Sequence, residues 1–122
     1  MKKILTTLGA ASILALTCTP ASAVYNATIQ GTLEWVEQHA GNDAGAGAGT
    51  IRFRLTNQPT VNCGGWNYFA ITTAVDDQVR KNMLAMLLAA KTSGAPVMVA
   101  YDSAGTGCTG YGDVIVYYLR IV

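Results

Sequence analysis

The stretch "MLAMLLAAKTSGAPVMVAYD", Met83 to Asp102, restricts the fold of this chain more than any other. It reads as the end of a helix, a stop and a strand. Asp76 and Asp77 open the helix, where negative charge suits the N-terminal dipole. Lys91 and Gly94 close it, with Pro96 just beyond. It is the chain's one helical pattern after the leader, and strand-like runs lie on both sides of it. A mainly β domain with one packed helix is expected. At about 100° per residue, Val79, Met83, Met86, Leu87 and Ala90 fall on one stripe, which should plug a barrel. Leu84 and Leu88 fall nearly opposite. They are either ordinary exposed residues or the place where subunits meet.

The strands follow from periods of two. From Tyr25 to Trp35, the odd positions Tyr25, Ala27, Ile29, Leu33 and Trp35 alternate with polar even ones, and Gly31 marks a bend. "IRFRL" sets Ile51, Phe53 and Leu55 against Arg52 and Arg54. "NYFAITTA", "APVMVAYD" and "VIVYYLRIV" supply three more strands. The last is apolar on both sides, as a central or interface strand would be. The predicted order is β-β-β-α-β-β. That is the order of an OB-fold, a five-stranded, partly open Greek-key barrel. A two-layer sheet-plus-helix sandwich is the competing architecture.

The first residues set the compartment. Lys2 and Lys3, an apolar stretch from Ile4 to Leu16, Pro20 and then Ala21-Ser22-Ala23 form the pattern of a secretory signal peptide. Residues 1–23 are thus expected to be a leader, and residues 24–122 a single secreted or periplasmic domain. Cleavage would remove Cys18 and leave Cys63 and Cys108, an even pair in an oxidising compartment, which predicts one disulfide. It would close a loop of about 45 residues, worth about 3–4 kcal/mol in the chain-entropy model. Eight basic against seven acidic residues leave a formal charge of +1. That balance argues against nucleic-acid binding through phosphate neutralisation. The leader's apolar run is short of the roughly 20 residues a membrane span needs, and no run of that length remains after it.

Catalytic and cofactor motifs are missing. "GNDAGAGAGT" lacks the lysine of a P-loop and leads into a strand, so it reads as a solvated loop. His39, the single histidine, could be drawn into a triad with Ser93 or Ser103, but no G-x-S-x-G elbow exists. Asp76 and Asp77 read as helix caps rather than a glycosidase pair. Two cysteines and one histidine far apart make a poor zinc site. No enzyme activity, metal or cofactor is expected. The aromatic residues are more suggestive, because tyrosine and tryptophan serve sugars and protein partners alike. Trp66 and Tyr111, beside glycines in loops, are the candidates for exposed contacts.

"LAAKTSGAPVMVAYD" resembles the helix-end-to-strand segment of pentameric B subunits of bacterial AB-type toxins, of the subtilase-cytotoxin and typhoid-toxin kind. Gly94, Val97, Val99 and Tyr101 carry the likeness, and "YNATIQGTLEWV" is similar to the family's first strand. The resemblance implies an OB-fold, a homopentameric ring, a toxin-type A subunit as partner and a cell-surface glycan bound on the side of the barrel. It implies glycan contacts from Tyr101, at the end of the strand after the helix, from Gln30, before the first-strand glycine where the family typically has serine, and from Asn26. Leu84 and Leu88 would then line the subunit interface. The alternative is a stand-alone exported structural or interaction domain without a ligand.

Overall fold

The computed structural model describes residues 25–40 and 48–122, so the expected leader lies outside the described residues. Among them the chain forms β1 (Ala27–Gly31), β2 (Leu33–Gln38), β3 (Ile51–Leu55), β4 (Phe69–Ile71), α1 (Asp77–Ser93), β5 (Val97–Tyr101), β6 (Val114–Ile115) and β7 (Tyr118–Ile121). The fold is mainly β with one helix. The strands lie in two sheets, one ordered β1-β5-β7 and the other β2-β3-β4-β6. All neighbours pair antiparallel except β4 and β6, which run parallel.

Two features depart from the expected five-stranded barrel. The sheets are not closed into one hydrogen-bonded barrel, and two of the expected strands are each broken at a corner between sheets. The first breaks at Thr32, between β1 in one sheet and β2 in the other. The last breaks between Val116, which donates to Ala70 O, and Tyr117, which donates to Ala100 O. Adjacent amides thus bond to different sheets, and the chain must turn to satisfy both. "VIVYYLRIV" is accordingly not a central strand. Its halves are edge strands of the two sheets, and Tyr117 and Tyr118 face outward.

The core lies between the sheets and under the helix. Ile51, Phe53 and Leu55 are fully buried from β3, as their alternation predicts, and meet Phe69, Ile71, Val97, Val99 and Val114. Phe53 lies 5.4 Å from Phe69, and Tyr101 meets Phe69 edge-on at 5.5 Å.

The helix starts and stops as read. Asp76 accepts from the amides of Gln78 and Val79, and Gly94 adopts φ 70° at the C-terminus. Its buried stripe is rotated from the expected one. Leu87 and Ala90 are buried and Met83 packs on the core, but so does Leu84, whereas Val79 is 48% exposed. Lys91 supplies the reason. Its Nζ donates to Leu33 O at 3.1 Å and Glu34 O at 2.8 Å, so the Lys91 side of the helix is drawn onto the start of β2. Leu84 sits on that side.

The loop after β5 is organised by Asp102, which is 5% exposed. Its Oδ1 accepts from Asn26 Nδ2 and from the Ala104 amide, both at 2.9 Å. Its Oδ2 accepts from the amide and the hydroxyl of Thr106. The Thr106 hydroxyl first, and the Ala104 amide next, hold this carboxyl below the usual carboxylate range. The ionised form is therefore favoured by folding. Its stabilising contribution is fully present above the unfolded value of about 3.9 and is lost as pH falls through the folded value. Asp102→Asn is expected to lower Tm by a constant amount between about pH 5 and pH 8, and the gap to the parent should close below about pH 3.9. Thermal melts across pH read this, and a gap that widens on acidification would contradict it.

Candidate functional site

The outward face of the four-stranded sheet carries the densest cluster of aromatic and charged side chains among the described residues. A β-bulge creates it. Leu33 pairs with Leu55 and Val36 with Phe53, three positions apart on β2 against two on β3. The extra residue inverts the side-chain phase, because a one-residue shift moves side chains to the other face. Trp35, expected on the core face with Leu33, instead stands opposite Arg54 on the outer face. Glu37, opposite Arg52, follows it. Past the end of β2, His39 accepts from the Gly49 amide and donates its own amide to Thr50 O. These three residues, with Arg52, Trp66 and Tyr68, line an open depression of about 600 Å³.

The aromatic side chains form a continuous platform. Trp35 meets Tyr68 edge-on at 4.6 Å and 84°. Trp66 lies nearly parallel to Tyr68, at 6.2 Å and 12°. It is 71% exposed, the most open of the large apolar side chains described. The Arg52 guanidinium lies 5.0 Å from the Tyr68 ring centroid, within cation–π range.

Beneath the platform, Arg52 and Asp113 form a buried pair. Arg52 NH2 donates to Asp113 Oδ1 at 3.0 Å, and Arg52 Nε lies 2.8 Å from Oδ2. Asp113 is 1% exposed, and its amide is held by the Thr109 hydroxyl at 3.1 Å. The remaining guanidinium nitrogen, NH1, sits 3.6 Å from Glu37 Oε1 and 3.4 Å from His39 Nε2. His39 Nε2 also lies 3.1 Å from Glu37 Oε1. A single neutral ring nitrogen cannot both donate to Glu37 and accept from Arg52. The shorter contact favours the tautomer with the proton on Nε2, donated to Glu37.

Two loops hold this arrangement together. One carries Trp66 and leads into Tyr68, and the other carries Asp113. The predicted disulfide between Cys63 and Cys108 joins them. Beside it the backbones touch. A Cβ on Gly65 would lie 2.1 Å from Tyr111 O, and one on Gly112 would lie 2.3 Å from Gly65 N, so glycine is required on both sides. Asn67 completes the join in a left-handed conformation, φ 60°. Its amide donates to Gly112 O, its side-chain oxygen accepts from the Val61 amide and its Nδ2 donates to Pro59 O. Trp66 is thus exposed but anchored on both flanks.

The residues implied by the resemblance lie elsewhere. Asn26 is committed to the loop after β5, where its Oδ1 accepts from the amide and hydroxyl of Ser103. Tyr101 is 7% exposed and faces the core. Gln30 is exposed opposite Met98, on the other face of the sheet from Tyr101. The structure brings Asn26 close to Tyr101, whose carbonyl accepts from the Asn26 amide at 3.3 Å, but does not gather Gln30 with the tyrosine ring. Of the two loop aromatics singled out, Trp66 lines the depression, whereas Tyr111 is exposed outside it. Trp35 and Tyr68 belong to the aromatic set that suits sugars or protein partners, whereas no sequence motif marks Glu37 or Arg52, and His39 fits neither a triad nor a zinc site. The alternation Trp35-x-Glu37-x-His39 was the signal that could have found them.

The chain matches no protein-family model, no curated protein and no solved structure. Among the described residues no group of three or more potential metal ligands is present, and no helix is long and apolar enough to cross a membrane.

Removing one partner of a buried ion pair leaves the other charge uncompensated. Asp113→Ala should therefore cost about 3–5 kcal/mol. Trp66→Ala, at an exposed position, should stay within about 0.5 kcal/mol of the parent. Urea unfolding of the two variants reads the contrast, and equal losses would contradict this account of the site.

Proposed function

We propose that this protein is an exported sugar-binding module and that the platform of Trp35, Trp66 and Tyr68 is where the sugar docks. The observation that carries the reading is Trp66. A tryptophan so open to water, yet fixed between a disulfide and a left-handed asparagine, offers a rigid apolar face at little entropic cost on binding. Aromatic faces suit the C–H side of a pyranose. Glu37, His39 and Arg52 stand beside that face, where a ring's hydroxyls would reach them.

The fold supports the same reading. If β1 with β2, and β6 with β7, are each taken as one bent strand, neighbour follows neighbour around the two sheets in the manner of a five-stranded OB-fold. In that fold the face of the second and third strands, with the first and last connecting loops, binds oligosaccharides and oligonucleotides. The platform uses the outer face of β2 and β3, and the loop that ends at Asp113 borders it. The near-neutral charge favours the sugar over a polyanion. The disulfide and the leader-like first residues are compatible with export.

The likeness to toxin B subunits adds two elements to the proposal: a ring of copies and a toxin-type A subunit as partner. Leu88, at 49% exposure, is the leucine available for such a ring, whereas Leu84 packs on its own core. Light scattering of the purified protein should show an oligomer that Leu88→Asp dissociates into folded subunits. A native monomer at high concentration would remove the ring.

The chain's two tryptophans both line the depression, so intrinsic fluorescence reports on the site directly. Sugars that bind should change it. Trp66→Ala should weaken binding by about 2 kcal/mol, roughly thirtyfold, as expected of a hot-spot aromatic. Undiminished binding of a validated sugar by that variant would place the site elsewhere.

A further inference from the structure

We infer that the sugar taken at the platform is an uncharged pyranose and that carboxylated sugars are rejected; the inference rests on the sugar-binding reading above. It follows from an account of the charges around the depression. An arginine beside aromatic rings ordinarily invites a carboxylate, because its planar fork matches two carboxylate oxygens. Arg52 is not free to do this. Its NH2 donates to Asp113, its Nε is buried within ion-pair distance of the same carboxylate, its NH1 stands between Glu37 and His39, and its Cζ lies 5.0 Å from the Tyr68 ring centroid.

The local balance is therefore acidic. Two carboxylates, Glu37 and Asp113, surround one guanidinium, and a second proton on His39 would bring the sum only to zero. Arg54, opposite Trp35, is held by Glu34 at 3.2 Å, and Arg80, whose guanidinium lies beside Gly49, is held by Asp77 at 2.7 Å. A ligand carboxylate would have to displace Glu37 from Arg52 or sit beside it uncompensated.

The hydrogen-bonding chemistry points the same way. Ionised Glu37 only accepts, and its side chain is half exposed at the rim. It seeks an O–H or N–H donor, which every neutral pyranose supplies and a carboxylate does not. The apolar face of Trp66 then takes the C–H side of the same ring.

The test pairs each neutral sugar with its acidic counterpart: methyl galactoside with galacturonic acid, methyl glucoside with glucuronic acid, and lactose with sialyllactose. Tryptophan fluorescence titrations at low salt follow binding by the full-length exported protein. For every pair that binds, the neutral member should bind about five- to tenfold tighter, with the difference shrinking in high salt. Glu37→Gln removes the charge while keeping the side chain's shape, and circular dichroism checks that it folds. The readout is the neutral-to-acidic ratio, which should fall towards one. An acidic sugar bound as tightly as its neutral partner, or a ratio unchanged in Glu37→Gln, overturns the inference and leaves the sugar site standing. If no sugar of either kind perturbs the tryptophans, the sugar-binding reading falls and takes the inference with it.

Discussion

The seam between the 63–68 and 108–113 loops is the constraint on which the platform depends. At Gly65 and Gly112 two backbones meet with no room for a Cβ, and the Cys63–Cys108 bond lies beside the contact. Loops that close are normally kept apart by side chains. Here the absence of side chains lets one loop present Trp66 outward while the other delivers Asp113 inward. Asn67, with four hydrogen-bonding groups engaged, sets the turn between Trp66 and Tyr68. Without the seam, an exposed tryptophan would sample many orientations, and binding would incur the cost of ordering it.

The electrostatics beneath the platform follow from the seam. Asp113 is carried to the central strand of the face, where Arg52 meets it at short range and in little water. A buried pair of this kind is weak evidence for stability, because desolvation offsets much of the attraction. Its clearer consequence is positional. It holds the guanidinium within cation–π reach of Tyr68 and leaves NH1 near Glu37 and His39. The polar rim is thus set by an interaction that lies largely out of solvent.

Strand β3, the helix caps and the disulfide could be read directly from the sequence, because each depends on local rules. Ile51, Phe53 and Leu55 alternate without interruption, and Asp76 and Gly94 act within a few residues of themselves. The site could not be read in the same way. Trp35 continues an uninterrupted alternation with Leu33, which reads as the same face of the strand. The bulge that turns it outward is a property of the pairing with β3, not of β2 alone. Leu84 moved inward for a similar reason. Periodicity gives the spacing of a helix's faces, but Lys91 binding the carbonyls of Leu33 and Glu34 decides which face turns to the sheet.

By itself, the sequence determined that the described residues are mainly β with a helix from Asp77 to Ser93, a buried β3 and a Cys63–Cys108 bond. Those outcomes rest on hydrophobic period, capping chemistry and cysteine count, each legible over short distances or by simple arithmetic. Tertiary structure alone decided that the strands divide into two sheets, that Trp35, Glu37, Arg52, Trp66 and Tyr68 converge, and that Tyr101 turns inward. Such outcomes depend on which backbone amides find partners across the fold. Adjacent residues such as Val116 and Tyr117 can satisfy theirs in different sheets, and no local pattern records that choice.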